Sequence, residues 1–225
     1  DLKPIIRAAH AAGALVVVDG CQVVPHAAVN VRDLDVDFYA FSGHKMMGPM
    51  GIGILYAKQQ LLEEMDPVYF GGSMIHSVDY TQSTWADPPW KFEAGTQNIP
   101  AVIGLNAAID YIESLGRNEI EEYITGLVRQ AFDELVHMNG IEVYGPREHR
   151  LPILSFNIKG VHSHDAATFF DSKKIAIRSG QHCASLVMKH FDVSAMARAS
   201  FYIYNTADDV ERFLQTVEET RDFFQ

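Results

Sequence analysis

"FYAFSGHKMMGPMGIGILYAK", residues 38–58, decides how this chain is read. It reads as a hydrophobic strand, a sharp turn and a second hydrophobic strand, with a single lysine, Lys45, at the turn. Upstream, residues 14–19, "ALVVVD", form a continuous apolar run that ends in an acid. That pattern suits a parallel strand buried on both faces with its polar residue at the carboxyl end. Residues 37–42 and 51–57 are read as two more strands of this kind. A helix is expected from the start of the chain to Ala12, stopping at Gly13, and a short one over residues 61–65. Residues 71–91 are expected as a loop that carries two prolines and both tryptophans, and a loop of that length is usually functional or an interface. Helices follow over residues 100–115, with Val102, Leu105, Ile109 and Ile112 on one face, and over 118–138, ended by Gly140.

Beyond that point the pattern changes. Short alternating strands are expected at 142–144, 151–158, 175–179 and 199–204, with a helix over Ser163–Ser172. Thr206 and Asp209 open a last helix by a capping-box-like pattern, followed by Val210, Phe213, Leu214 and Val217. The fold class is therefore α/β, with a mainly parallel sheet and a smaller α+β domain after it. The boundary falls near residues 110–118, which divides the chain as 1–113 and 114–225. The N-terminus lacks an initiator methionine and runs directly into a helix, so the chain is expected to begin in mid-domain.

Composition narrows the function. The chain has 225 residues, 48% of them hydrophobic, which suffices for a substantial core. A net charge of −11 argues against nucleic acid or an anionic membrane as the main partner. No apolar run approaches the roughly 18–20 residues of a membrane span. Two distant cysteines, Cys21 and Cys183, make no disulfide framework, so a reducing cytoplasm is the expected location.

A lysine in a turn is most often a solvated surface group. Lys45 has three features that point elsewhere. It follows a buried strand, where α/β sheets place ligands. Its neighbours Ser42 and His44 can donate hydrogen bonds to an anion. Asp19 ends a neighbouring strand, so a carboxylate and an amine could face one cleft. An amine that condenses with an aldehyde and an acid that keeps a pyridine nitrogen protonated are the two groups a pyridoxal 5'-phosphate enzyme needs.

Five segments carry a more specific signal: "VDGCQ" at 18–22, "DFYAFSGHKMMGPMGIGILY" at 37–56, "FEAGTQN" at 92–98, "RSGQHCA" at 178–184 and "ARASFYIYNT" at 197–206. In order and spacing they resemble the cysteine desulfurase family, and the chain is similar to the C-terminal part of a SufS-type desulfurase, a group whose relatives include selenocysteine lyases. The resemblance implies the aspartate-aminotransferase fold (pyridoxal phosphate fold type I): a partial large domain in residues 1–113 and a small domain in 114–225 that carries the catalytic cysteine. It implies a homodimer with L-cysteine as substrate and a sulfur-acceptor protein of the iron–sulfur assembly system as partner. By the same resemblance Lys45 forms a Schiff base with the cofactor, Asp19 pairs with the pyridine nitrogen and Gln22 bonds the ring hydroxyl. Ser42 and His44 bind phosphate, and Thr96 reaches the phosphate held by a partner subunit.

Cys183 is the second centre. A lone cysteine is more often a buried small hydrophobe than a nucleophile. Here Arg178, Gly180, Gln181 and His182 lead into it, and a nearby cation favours the thiolate. The resemblance makes Cys183 the nucleophile that takes sulfur from cysteine, leaving a persulfide and releasing alanine. Arg198 clamps the substrate carboxylate, Arg178 positions substrate or thiolate, and His182 stays available for proton transfer. Cys21 follows a buried strand and is given a packing role only.

Two departures from the family pattern stand out. Gln181 replaces the first histidine of the usual "GHHCA", and a glutamine transfers no proton at neutral pH. The family's N-terminal part, with its ring-stacking histidine and phosphate loop, is not among these residues. His164 is expected as an exposed residue at a helix start, although in Gram-positive relatives a histidine in this context takes a zinc position when an acceptor docks. His10, His76, His137 and His149 are read as surface or loop residues, and no Cys/His spacing supports a metal site of the chain's own. Trp85 and Trp90 are expected to pack at a dimer interface. Three functions are carried forward: a cysteine desulfurase, a selenocysteine lyase using the same residues, and a non-catalytic chain that dimerises or binds partners without cofactor.

Overall fold

The computed structural model describes residues 1–225, which divide into two compact units, Asp1–Arg117 and Asn118–Gln225. In the first, α1 (Lys3–Ala11) leads to β1 (Val17–Asp19), a short α2 (Val31–Leu34) and β2 (Phe38–Ser42). A single 3-10 turn over Gly43–Met46 carries Lys45, and β3 (Gly53–Ala57) follows it. β1 and β2 run parallel with Asp19 opposite Ala40, whereas β2 and β3 are antiparallel with Ser42 opposite Gly53. The three strands therefore make a mixed sheet in the order β1-β2-β3.

That arrangement corrects the expectation of three parallel strands buried on both faces. The connection from β2 to β3 is a turn of about ten residues, which suits a hairpin and is too short for a parallel crossover. Burial is one-sided as well: Val17 is 69% exposed and Leu55 61% exposed, while Tyr39 is buried.

What pins this sheet is polar. Asp37 is 3% exposed and lies just before β2. Its carboxylate accepts from the Val16 backbone N–H at 2.7 Å, meets Lys58 Nζ at 2.9 Å and His10 Nε2 at 2.8 Å. Lys58 also reaches Asp35 at 2.7 Å. Burial pushes the Asp37 carboxyl up, but Lys58, the Val16 N–H and His10 outweigh it and hold the pKa at about 2. One carboxylate thus ties the first helix, the start of β1 and the end of β3 together. His10, expected as a surface residue, belongs to this cluster.

After β3 come α3 (Gln59–Glu64), a hairpin of β4 (Ile75–Val78) and β5 (Ser83–Trp85), a 3-10 turn over Trp90–Phe92, and α4 (Ile99–Leu115). The segment expected as a structureless loop is therefore partly a hairpin, zipped by Ser77 and Thr84 side chains at 2.6 Å. Lys91 is buried and caps α3, donating to the carbonyls of Glu63 at 3.0 Å and Leu62 at 3.4 Å. α4 buries Ala101, Leu105, Ala108 and Ile112, so its inward face takes alanines where Val102 and Ile109 had been expected.

The second unit is an antiparallel sheet with helices against it. α5 (Arg117–Leu135), β6 (Ile141–Tyr144), β7 (Ile153–Ile158), α6 (Ser163–Ser172), β8 (Arg178–Gly180), α7 (Ser185–His190), β9 (Met196–Ser200) and α8 (Ala207–Phe224) follow in order. The strands lie β6-β7-β9-β8, all antiparallel. β7 alternates half-buried and buried along its length, as a one-faced strand does. Its inward residues Leu154, Phe156 and Ile158 pack with Leu135, Phe170, Phe213 and Val217 into one core. The Thr206 capping box forms as its sequence indicates, with Asp209 N–H donating to Thr206 Oγ1 at 3.3 Å and Thr206 N–H to Asp209 Oδ2 at 3.0 Å. β9 lies three or four residues earlier than expected, which places Arg198 inside a strand.

Candidate active site

In the first unit the functional groups gather at the carboxyl ends of β1 and β2. Backbone packing fixes them there. A side chain at Gly20 would overlap the Tyr39 ring, so the chain leaving Asp19 rests directly on a buried aromatic. The Lys45 turn is equally tight: Met46 is buried, Met47 takes the left-handed conformation, and Gly48 N–H donates to the Gly43 carbonyl at 3.0 Å. A side chain at Gly48 would meet that carbonyl at 2.9 Å and Leu105 of α4 at 3.0 Å. The glycines of "SGHKMMG" are therefore steric requirements that hold the base of Lys45 against a helix.

Asp19 accepts from the Cys21 backbone N–H at 3.0 Å. Its pKa is lowered first by Cys21, against an opposing effect of burial, and last by the positive charge of Lys45. Lys45 is half-buried and forms neither a hydrogen bond nor a salt bridge, so nothing ties up its amine. Ser42 Oγ lies 3.5 Å from Cys21 Sγ. The structure thus brings together Asp19, Cys21, Ser42 and Lys45. No hydrogen bond joins the side chains of Gln22, His44 or Thr96 to them; His44 and Thr96 are exposed.

In the second unit the groups gather where β8 runs out. Gly180, His182 and Cys183 have φ of 115°, 54° and 59°, three left-handed residues within four positions. Non-glycine residues adopt this conformation at a cost of about 1 kcal/mol each, and such strain clusters at functional sites. The turn presents Cys183 exposed, with an Arg178 guanidinium nitrogen 3.6 Å from Sγ. Gln181 is part of the turn itself: its backbone carbonyl accepts from Ala184 N–H at 2.9 Å and its side-chain oxygen accepts from Ser185 Oγ at 3.0 Å.

Arg178 and Arg198 lie directly opposite each other on β8 and β9. Like charges in register oppose the pairing. Neither arginine forms an ion pair with a carboxylate, and Arg198 Nε is buried without a partner. Burial and the charge of Arg178 lower the Arg198 pKa, and Cys183 acts in the other direction. Two uncompensated guanidinium groups beside a thiol form a site for an anion, and the planar fork of arginine suits a carboxylate. His182 Nε2 lies 3.0 Å from the Met196 carbonyl, which can only accept, so Nε2 carries the proton. Nδ1 is buried without a partner. Burial and then Arg198 lower the His182 pKa, which keeps the ring neutral with a free lone pair at Nδ1. His164 is exposed and pairs with Ser179 Oγ at 2.9 Å.

Sequence reasoning did not foresee the contact of Cys21 with Asp19 and Ser42, nor the Asp37 cluster. The first had a usable signal, a thiol two residues after the acid in "VDGCQ". The second had none, because its members are distant in sequence.

An untethered amine near a carboxylate in the first unit and a thiol beside two arginines in the second are groups capable of covalent chemistry. Residues 1–213 match the family model Aminotransferase class-V, and the chain belongs to this family. It is 49% identical over 223 residues to a probable cysteine desulfurase of Halalkalibacterium halodurans, a match that covers 99% of this chain and 55% of the relative. It is 49% identical over 213 residues to a probable cysteine desulfurase of Staphylococcus epidermidis, covering 94% of this chain and 52% of the relative. Among solved structures, the cysteine desulfurase CsdA from Escherichia coli, in an S-sulfonic acid form, matches with a TM-score of 0.95 and 40% identity over 100% of this chain and 56% of its own. The chain spans about half the length of the curated relatives it matches.

Proposed function

We propose that the chain works as a pyridoxal 5'-phosphate-dependent cysteine desulfurase of the SufS type, converting L-cysteine to L-alanine and leaving a persulfide on Cys183. The observation that carries this reading is the exposed Cys183 thiol beside Arg178, with the unpaired Arg198 across the strand. The donor set at Asp19, Ser42 and Lys45 fits the cofactor: a carboxylate for the ring nitrogen, a hydroxyl for the phosphate and a free amine for the aldehyde. Gln22, His44 and Thr96 complete the assignment, Thr96 toward the cofactor of a second subunit. Residues 1–113 then serve as the cofactor-binding portion and 114–225 as the small domain.

When bound, the cofactor supplies an electron-poor ring that weakens bonds next to the substrate's α-carbon. The chain's own residues do the rest. Asp19, held ionised, keeps a proton on the ring nitrogen. Lys45 Nζ moves protons to and from the substrate carbon. Arg198 binds the substrate carboxylate, and Arg178 stabilises the Cys183 thiolate. Cys183 Sγ bonds to the substrate sulfur as the carbon–sulfur bond breaks. The carbon keeps that bonding pair, gains a proton and ends as the methyl group of alanine, so the persulfide forms without an external oxidant. His182, neutral and fixed by Met196, serves as a proton acceptor at Nδ1.

Delivery of the persulfide to an acceptor protein for iron–sulfur assembly, a homodimeric state and a cytoplasmic location complete the proposal. Two free cysteines, and no helix long and apolar enough to cross a membrane, support that last part. The purified chain with pyridoxal 5'-phosphate should show a visible absorption band. After borohydride reduction, peptide mass spectrometry should find the cofactor on Lys45. A label on another lysine would overturn the assignment. Turnover measured side by side on cysteine and selenocysteine decides between desulfurase and selenocysteine lyase.

A further inference from the structure

Asn157 lies in β7 between the core residues Phe156 and Ile158, so its side chain is on the other face of the sheet. The pairing of β7 with β9 ends at Phe156 opposite Ala197. The Asn157 amide takes over from there: Nδ2 donates to the Ala195 carbonyl at 2.9 Å, and Oδ1 accepts from the Ala197 N–H at 3.3 Å. A carbonyl only accepts and an N–H only donates, so these two contacts fix which end of the amide is which. Nδ2 also donates to Tyr144 Oη at 3.3 Å, and that hydroxyl donates to Glu142 Oε2 at 2.8 Å. Between the two gripped backbone atoms lies Met196, which is buried. The Met196 carbonyl and the Ala197 N–H belong to one planar trans peptide, so they point in opposite directions. Asn157 holds one edge of that plane. At the other edge the Met196 carbonyl accepts from His182 Nε2 at 3.0 Å.

We propose that Asn157 is a positioning residue that acts through the Met196–Ala197 peptide on His182, holding the ring in the tautomer with its proton at Nε2 and its lone pair at Nδ1. The inference rests on the reading that His182 serves as a proton acceptor at Nδ1 in the desulfurase reaction. A neutral imidazole carries one proton, and the hydrogen bond made by one nitrogen decides where that proton sits. The Met196 carbonyl makes that choice while it points at Nε2, and its direction is the rotation of a single peptide plane. On the β7 side the strand pairing has already ended, so the Asn157 amide supplies the bonds that the ladder no longer makes. A ring free to exchange tautomers would spend part of its time with a proton on Nδ1, which is buried without a partner, and could then accept none there. Alanine at 157 leaves the Ala195 carbonyl and the Ala197 N–H unpaired and releases the plane. Aspartate keeps an oxygen for the Ala197 N–H and has no proton for the Ala195 carbonyl.

The test uses the 225-residue chain with nitrogen-15-labelled histidine, compared by NMR at a pH where the ring is neutral, as wild type, Asn157→Ala and Asn157→Asp, with His182→Gln to assign the signals. The wild type should show a single His182 tautomer, protonated at Nε2. Asn157→Ala should show a mixture of the two tautomers. Asn157→Asp should keep the wild-type tautomer, although its melting temperature falls as that of Asn157→Ala does. With pyridoxal 5'-phosphate and L-cysteine, Asn157→Ala should lower kcat roughly threefold to tenfold, the scale of one hydrogen bond, and leave KM unchanged. A single Nε2-protonated tautomer in Asn157→Ala overturns the inference. So does a tautomer lost equally in both variants, which a general loosening of the sheet would give, and so does a raised KM with unchanged kcat, the mark of a displaced Arg198. The underlying reading fails separately. If the His182 tautomer follows the residue at 157 yet His182→Gln turns over cysteine at the wild-type rate, the positioning role stands and the proton-accepting role of His182 falls.

Discussion

The two units of the chain are held together by different means. The second closes a four-stranded antiparallel sheet under α5, α6 and α8, and Leu154, Phe156, Phe170, Phe213 and Val217 form one apolar core. The first has three strands, leaves apolar side chains such as Val17 and Leu55 exposed, and is pinned by Asp37 with Lys58, His10 and the Val16 N–H. In both, the chemically active groups sit where a strand ends in a strained or crowded turn. A fold can therefore present reactive groups from an apolar or a polar scaffold, but the two scaffolds answer differently to mutation and to acid.

The largest expected effect is on chemistry and leaves both scaffolds intact. Asp19→Asn keeps the size of an exposed side chain and removes its charge, so turnover should fall by about a thousandfold or more while the melting curve is unchanged. Near-normal kcat would remove Asp19 from the site. Next comes the apolar scaffold. Phe156→Ala empties a fully buried position that contacts Phe170 and Phe213, and should cost the second unit about 3–5 kcal/mol by denaturant titration. A loss under about 1 kcal/mol would mean that the core is not shared as described.

Asp37→Asn tests the polar scaffold and should cost the first unit on the order of 2–3 kcal/mol at neutral pH, because Lys58 and His10 lose their buried partner. The pH dependence has a definite sign. A carboxyl held at about 2 in the folded state, below its unfolded value near 4, contributes its full stability above about pH 4 and loses it as pH falls toward 2. Amide exchange should thus show the first unit loosening over that range, and Asp37→Asn should remove this pH dependence by leaving the unit loosened already at neutral pH. The smallest effect is at the α8 cap. Thr206→Ala removes one half of the capping box and should cost about 1 kcal/mol, read as increased exchange in the first turn of that helix.

How far the sequence alone reaches also differs between the units. Hydrophobic alternation made β7 readable, and Thr206 with Asp209 announced α8, because each depends on residues close together in the chain. The direction of β3 was misread: the apolar run looks the same in either orientation, and the signal that decides it, the short connection after Ser42, was not weighed. β8 and β9 were misplaced because "RSG" and "MARAS" carry no alternating apolar signal; the strands are set by backbone pairing between segments distant in the chain, in spite of the two arginines that face each other. At the candidate site, Lys45, Asp19 and Cys183 were singled out from motif and position. The unpaired state of Arg198 and the link from Cys21 to Ser42 were not, because both depend on which atoms meet in three dimensions.

The central claim is a division of labour: Lys45 and its neighbours engage the cofactor, and Cys183 takes the sulfur. One comparison tests it most directly, wild type against Cys183→Ala, each given pyridoxal 5'-phosphate and L-cysteine and then examined by intact-protein mass spectrometry and alanine release. The account predicts one added sulfur atom on the wild-type chain, mapping to Cys183, with alanine formed alongside. The variant should retain cofactor bound at Lys45, carry no added sulfur and release alanine at a rate lower by orders of magnitude. Sulfur release from cysteine at the wild-type rate in Cys183→Ala would contradict the account, and would leave Cys183 as a thiol in a strained turn with no part in the reaction.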